Sequence, residues 1–332
     1  MTRTIWVQEG RTGITEAAKT RILVLSYSQT GQLARAAESL VGPLALDPEV
    51  EIVWGHLEPK RPYPFPWSFL GFLDVFPEAV FMDPPELAPL SFDPDSHFDL
   101  VVLAYQVWFL SPSLPVTAFL RSTHARVLRG KPVVTLIACR NMWLTAHAKM
   151  QKALTACGAM LIDNIVLTDR GSPWSTFITT PRWLLTGKKA GFWRIFPAAG
   201  VADADIAATA RFGRALRDQR AAFGDRPSRS LLQGLRAVTV DPRYIASERV
   251  GHRSFLLWGR LLRALGPPGT QPRRAVLIFY AVFLAAMIIT VVPITWVFAT
   301  LLHPVLKARL ARAATELERP SGRGSERLAD YQ

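Results

Sequence analysis

Short apolar runs alternate with amphipathic stretches along the first two thirds of the chain. Ile22 to Leu25 are apolar in succession, then come small hydroxyl residues and a glycine, then a helical pattern from Gln32 to Leu40. That order predicts strand, loop and helix, and a continuous apolar run suits a parallel strand buried on both faces. Further strands are predicted over Val50–Leu57, Asp99–Tyr105, Val133–Cys139 and Met160–Leu167. Between them the spacing predicts a short helix over Ser68–Phe76 and longer ones over Ser113–Thr123 and Leu144–Cys157, the last ended by Gly158. Five alternations argue an α/β fold, a doubly wound five-stranded parallel sheet of order 2-1-3-4-5. Its ligand crevice opens at the carboxyl ends of strands one, three and four. Asp169 to Gly200 shows no clear period and reads as a long aromatic-rich loop, and Asp203–Phe223 as a closing helix.

The pattern changes after residue 225. Asp225 to Thr270 is rich in arginine and amphipathic in places, which suits either a juxtamembrane region on anionic lipid or a solvated basic linker. Ala275 to Leu302 carries no charge, long enough for a tilted transmembrane helix, although Pro293 leaves a re-entrant hairpin open. The expected organisation is an N-terminal extension (1–20), a cofactor domain (21–225), a basic juxtamembrane region (226–274), a transmembrane segment (275–302) and a polar tail (303–332).

Charge supports a membrane partner. The net charge is +13, but residues 1–100 hold seven Lys/Arg against fourteen Asp/Glu, and residues 101–332 hold thirty-two against twelve. No zinc-finger spacing or RNA-binding aromatic motif accompanies this excess, so nucleic acid is not the expected partner. The arginines before residue 275 favour a cytoplasmic N-terminal side, and residues 1–20 lack the apolar core of a signal peptide. The expected location is a single-pass, bacterial-type inner membrane with the cofactor domain cytoplasmic. Only Cys139 and Cys157 are present, which argues against a disulfide framework or a cysteine metal site.

Candidate chemistry lies at the strand ends. Ser28, Thr30 and Gly31 precede a helix N-terminus, where orphan N–H groups and the positive dipole end favour a phosphate. No lysine follows the glycine and no G-x-G-x-x-G is present, so neither nucleoside-triphosphate nor dinucleotide fingerprints apply. A turn capped by Ser28 and Thr30 explains the same residues without a ligand. The second loop runs from Ala104 to Pro115 and the third from Ala138 to Trp143. Together they bring Trp108 and Trp143 as aromatic faces and Arg140 as a donor, which suits a flat, electron-poor ring. Each tryptophan is equally at home in a core, and Arg140 in an ion pair.

Ser-x-Thr-Gly at 28–31 resembles the FMN phosphate loop of flavodoxins, with Leu33 where a second threonine usually stands. Residues 27–33, 62–67, 104–115, 137–143 and 179–188 together resemble flavodoxin-like proteins often labelled dialkylresorcinol condensing enzymes. The resemblance covers about residues 20–225. It implies a flavodoxin-like fold, FMN as cofactor, and an aromatase that oxidises a dialkylcyclohexanedione to a dialkylresorcinol beside a ketosynthase. On this resemblance Ser28, Gln29, Thr30, Gly31, Gln32, Leu33, Gln106, Val107, Trp108, Phe109, Cys139, Arg140 and Trp143 surround the cofactor. Tyr105, Arg140 and Asn141 are the candidate catalytic residues, and Trp67, Arg182 and Trp183 the candidate substrate contacts. His147 lies within reach, but a surface histidine is the reading its position favours. Two alternatives stand beside the aromatase: an NAD(P)H:quinone reductase on membrane quinone, and a cofactor-less scaffold recruiting a ketosynthase.

Overall fold

The computed structural model of the protein describes residues 19–223 and 230–331. Almost all of the expected N-terminal extension, residues 1–18, therefore lies outside the described residues. Strands β1 (Thr20–Ser26), β2 (Val50–His56), β3 (Leu100–Trp108), β5 (Pro132–Cys139) and β6 (Met160–Thr168) form a parallel sheet of order β2-β1-β3-β5-β6. In the sequence reading's count of five strands this is 2-1-3-4-5, the flavodoxin-like order. Residues 22–25 and 100–105 are fully buried because the sheet is covered on both faces. A two-residue strand, β4 (Ser111–Pro112), turns back antiparallel on the end of β3, which the sequence pattern did not signal.

Helix α1 (Gln32–Ala45) follows β1, and α2 (Phe69–Asp74) and α3 (Phe76–Phe81) form a broken helical insertion before β3. Helix α4 (Leu114–Arg121) follows β4, and α5 (Leu144–Ala156) follows β5. The stretch expected to be an irregular loop contains α6 (Pro173–Thr186). Its boundaries have ordinary causes: the Ser172 side chain accepts from Ser175 N–H, Pro173 takes the first turn, and Gly187 ends it at φ 72°. The expected helix over Asp203–Phe223 is divided into α7 (Asp203–Ala207) and α8 (Ala210–Asp218).

From residue 230 onward, the basic segment is built into the domain. Leu231, Leu232, Leu235, Ala237, Val238 and Val240 are buried in the main core. Helix α9 (Arg243–Ala264) then packs on α3 and α5. The packed core therefore extends past residue 225, because apolar positions spaced among the arginines face the sheet edge.

The last helix, α10 (Gln271–Leu317), contains the uncharged stretch. Its part Gln271–Thr290 is long and apolar enough to cross a membrane, and only 17% of that window is buried, so it is not a core helix. Both ends of α10 rest on the domain. At the first end Arg273 is 1% exposed and pairs with Asp74 (2.7 Å) and Glu78 (2.6 Å), and the Tyr280 ring stacks on Phe76 at 4.8 Å. At the other, Ala314 and Glu318 are buried, and the Ser321 hydroxyl donates to Asp163 of β6 at 2.7 Å. The tail expected to be merely polar thus completes the β6 edge.

Candidate functional site

The loop after β1 is organised by its own side chains. Ser28 Oγ accepts the Ala34 N–H at 3.1 Å and Gly31 O accepts the Arg35 N–H at 3.0 Å, which closes the first turn of α1. Gly31 stands at φ 75°, left-handed backbone that disfavours a side chain, and no atom lies within 4 Å of where a Cβ would be. Among the described residues no hydrogen bond takes the N–H groups of Thr30, Gly31, Gln32 or Leu33. Four unpartnered donors at a helix N-terminus form an anion cradle. Leu33 is 1% exposed and belongs to the core, so the hydroxyl a threonine would offer there is replaced by packing.

Neighbouring segments fasten this loop. Gln29 Nε2 donates to Pro64 O at 3.0 Å, and its Oε1 accepts from Trp67 Nε1 at 3.0 Å. Gln32 is clamped on Val201, donating to its carbonyl at 2.9 Å and accepting its N–H at 3.0 Å. Gly200 sits against both Gln32 and Trp183: a Cβ there would meet Gln32 Oε1 at 2.7 Å and the Trp183 ring at 2.8 Å. Trp67 N–H donates to Leu184 O of α6 at 2.9 Å. Gln29, Gln32, Trp67 and Trp183 are thus brought to one loop.

In the second loop, β3 continues to Trp108 and reverses through Phe109 and Leu110 at φ 48° and 58°. Bulky residues rarely hold that conformation, and packing maintains it here. Phe109 lies among Phe72 (4.8 Å), Phe76 (5.6 Å) and Phe255 (6.0 Å). Trp108 is 8% exposed and meets Tyr27 (5.9 Å), Tyr63 (5.1 Å) and Trp67 (6.0 Å) edge to face. Trp108 is thus enclosed by three aromatic side chains, two of which come from the segment before α2. Gln106 Oε1 is buried without a partner among the described residues, and Val107 is paired with Pro112.

The third loop divides. Arg140 lies over the Phe177 ring of α6 at 4.3 Å, and burial lowers its hold on the proton against the pull of Tyr244, Cys139 and Asp169. Asn141 Oδ1 accepts the Met142 N–H at 2.8 Å and so caps its own turn. Burial pushes the Cys139 thiol well above its ordinary range, which makes it a poor nucleophile. Trp143 is 2% exposed and packs edge to face on His147 at 5.8 Å, under α5. Tyr105 is fully buried, its hydroxyl has no partner among the described residues, and burial raises its pKa well above the usual tyrosine value. Arg182 donates to the carbonyls of Lys188 and Ala190, both at 2.9 Å, and covers Phe192 at 4.4 Å.

Sequence reasoning missed two contributors. Asp169, at the end of β6, accepts from Gly171 N–H and Gly200 N–H, both at 2.8 Å, tying the sheet end to the wall behind Gln32. Helix α6 bridges the first and third loops through Phe177 and Trp183, and its Thr179 hydroxyl, 2% exposed, has no partner among the described residues. Ser172-Pro173 and Gly187 were the available start and stop signals for α6.

No known family profile and no curated protein matches the chain in sequence. Among solved structures it is similar to a flavoprotein in complex with FMN from Lactobacillus acidophilus NCFM, at 16% identity and a TM-score of 0.35. That match spans 45% of this chain and 93% of the other. It is also similar to a flavodoxin from the domain Archaea, at 11% identity and a TM-score of 0.33, over 60% of this chain and 98% of the other. The sheet itself is flavodoxin-like by its own strand order, β2-β1-β3-β5-β6.

Proposed function

We propose that the protein is an FMN-dependent oxidoreductase of the aromatase type, acting at a membrane on a hydrophobic dialkylcyclohexanedione beside a ketosynthase. One observation carries the cofactor: the four unpartnered N–H groups of residues 30–33 at the N-terminus of α1. They lie at the carboxyl end of β1, where a sheet of this order places its ligand crevice. The orphan Thr179 hydroxyl on the bridging helix supports a polar ligand at the same end of the sheet. Ser28 to Leu33 would hold the phosphate, and Arg140 would place positive charge near the ring. FMN, when bound, supplies the hydride acceptor.

Conversion of the diketone to a resorcinol removes two hydrogens, one as a proton beside a carbonyl and one as a hydride. Tyr105 and Cys139 are poorly placed to take that proton, since burial holds both protonated. Arg182 is committed to the carbonyls of its own loop and would shape the rim. The substrate class rests on the sequence resemblance and on the exposed apolar α10. Purified full-length protein, loaded with FMN and given a dialkylcyclohexanedione, is expected to release the resorcinol. Flavin-loaded protein that yields none overturns the aromatase. The enclosure of Trp108 by Tyr63 and Trp67 favours a second reading, a cofactor-less scaffold, and protein that takes up no flavin selects it.

A further inference from the structure

Resting on the membrane part of that reading, we propose that α10 is a same-side membrane anchor: it lies along one leaflet with both of its ends on the side where the domain stands. A single crossing puts the two ends of a helix on opposite sides of ~30 Å of hydrocarbon. Here both ends are fastened to one domain. Arg273 and Tyr280 hold the first end against α2 and α3. The far end is held by a longer series of bonds. Val240 N–H donates to Glu318 Oε1 at 2.8 Å, Val238 N–H to Gly322 O at 3.2 Å, Arg236 N–H to Gly324 O at 2.6 Å, and Arg327 N–H to Gly234 O at 3.0 Å.

Asp163 makes this docking costly to undo. Its buried carboxylate accepts from Ser230, from Leu231 N–H at 2.8 Å, from Leu232 N–H at 3.3 Å and from Ser321 at 2.7 Å. Ser321 Oγ in turn accepts the Asn164 N–H at 2.8 Å. Carrying the tail across a membrane would strip Ser321 from both groups and leave buried polar atoms on β6 unsatisfied.

Length agrees with a tangential path. From Tyr280 to Ala314 the helix covers about 50 Å at ~1.5 Å per residue. A domain of roughly 300 residues has a radius of gyration of ~19 Å, hence a diameter near 50 Å. A helix of that length with both ends on the domain runs along one face instead of projecting from it.

The chemistry of this face suits lipid. Ile278, Phe279, Val282, Ile289 and Ile294 of α10 are between 48% and 73% exposed. Beside them α9 presents a stripe of Val250, Leu257 and Leu261, all exposed, with Arg249, Arg253 and Arg260 along its border. Helical spacing places the three apolar residues on one line and the arginines to one side, the pattern of an interfacial helix. Arg274 at the first end of α10 and Arg309 and Arg312 at the far end are exposed too, so cations stand at both ends of the apolar stretch. Ends that share one anionic leaflet explain that symmetry.

Sidedness tests the proposal in the full-length chain. A cysteine placed at the exposed tail position Ala329 reports the tail, and one at exposed Lys152 on α5 reports the domain. The unaltered chain, with its half-buried Cys139 and Cys157, is the blank. In sealed membrane vesicles an impermeant maleimide is expected to label Ala329→Cys and Lys152→Cys from the same side. Ala311→Cys, also exposed, provides a second tail position. Labelling of the tail and domain positions from opposite sides overturns the same-side path while leaving membrane attachment intact. A full-length chain that stays in the soluble fraction without detergent overturns the membrane reading and this proposal together.

Discussion

His147 is 4% exposed, and neither ring nitrogen has a partner among the described residues. Burial lowers its pKa from 6.5 to about 4, so it is a neutral core residue and not the surface group its helical position suggested. The sign of the linkage follows. Below pH 6.5 the unfolded chain takes up a proton that the folded chain refuses, so stability is full above that value and falls as the pH drops toward 4. The loss approaches ~3 kcal/mol at about 1.4 kcal/mol per pH unit. His147→Leu should flatten this part of a curve of melting temperature against pH; an unchanged slope would assign the loss to other groups. Arg273 poses the opposite case, a charge paired on arrival. Arg273→Ala would leave Asp74 and Glu78, each less than one fifth exposed, without their shared cation. A loss of ~3–5 kcal/mol is expected for breaking such a pair, read by thermal unfolding in detergent.

At the level of elements, the loop after β1 was the most legible part of the chain, because strand, turn and helix signals fall within a few residues. Helix α6 was hidden by Pro181 and by its mixed pattern, although its cap and stop residues were in plain view. The docking of residues 231–240 and 318–331 was not legible, since it depends on partners such as Asp163 far away in sequence. A chain ended near Gly224 would lack segments of the core. Such a truncated chain is expected to lose near-ultraviolet circular dichroism and to aggregate, and a soluble, cooperatively melting product would contradict the packing described above. The α1–α8 contact offers a narrower test. A Cβ on Gly213 would stand 1.9 Å from Leu40 O, so Gly213→Ala must push the helices apart. A cost of ~1–3 kcal/mol is expected in denaturant unfolding.

For the whole molecule, the sheet order was predictable from alternation and one loop, whereas the enclosure of Trp108 was not. Sequence spacing places Trp108 at the crevice and Trp67 among the candidate substrate contacts, but not the edge-to-face packing of Tyr63 and Trp67 on Trp108. Charge asymmetry becomes intelligible at this scale: arginines that looked like a linker border the apolar stripe of α9, beside α10. The central claim is that FMN occupies the cradle at residues 28–33, and direct binding tests it. Full-length protein in detergent is titrated with FMN and followed by quenching of flavin fluorescence, beside a Gly31→Val variant that forces a branched side chain onto the φ 75° backbone at the cradle. The account predicts saturable, one-to-one quenching by the parent and binding at least tenfold weaker for the variant, which should still melt cooperatively in the absence of FMN, at a temperature lowered by the strained backbone. A parent that shows no saturable quenching would contradict it.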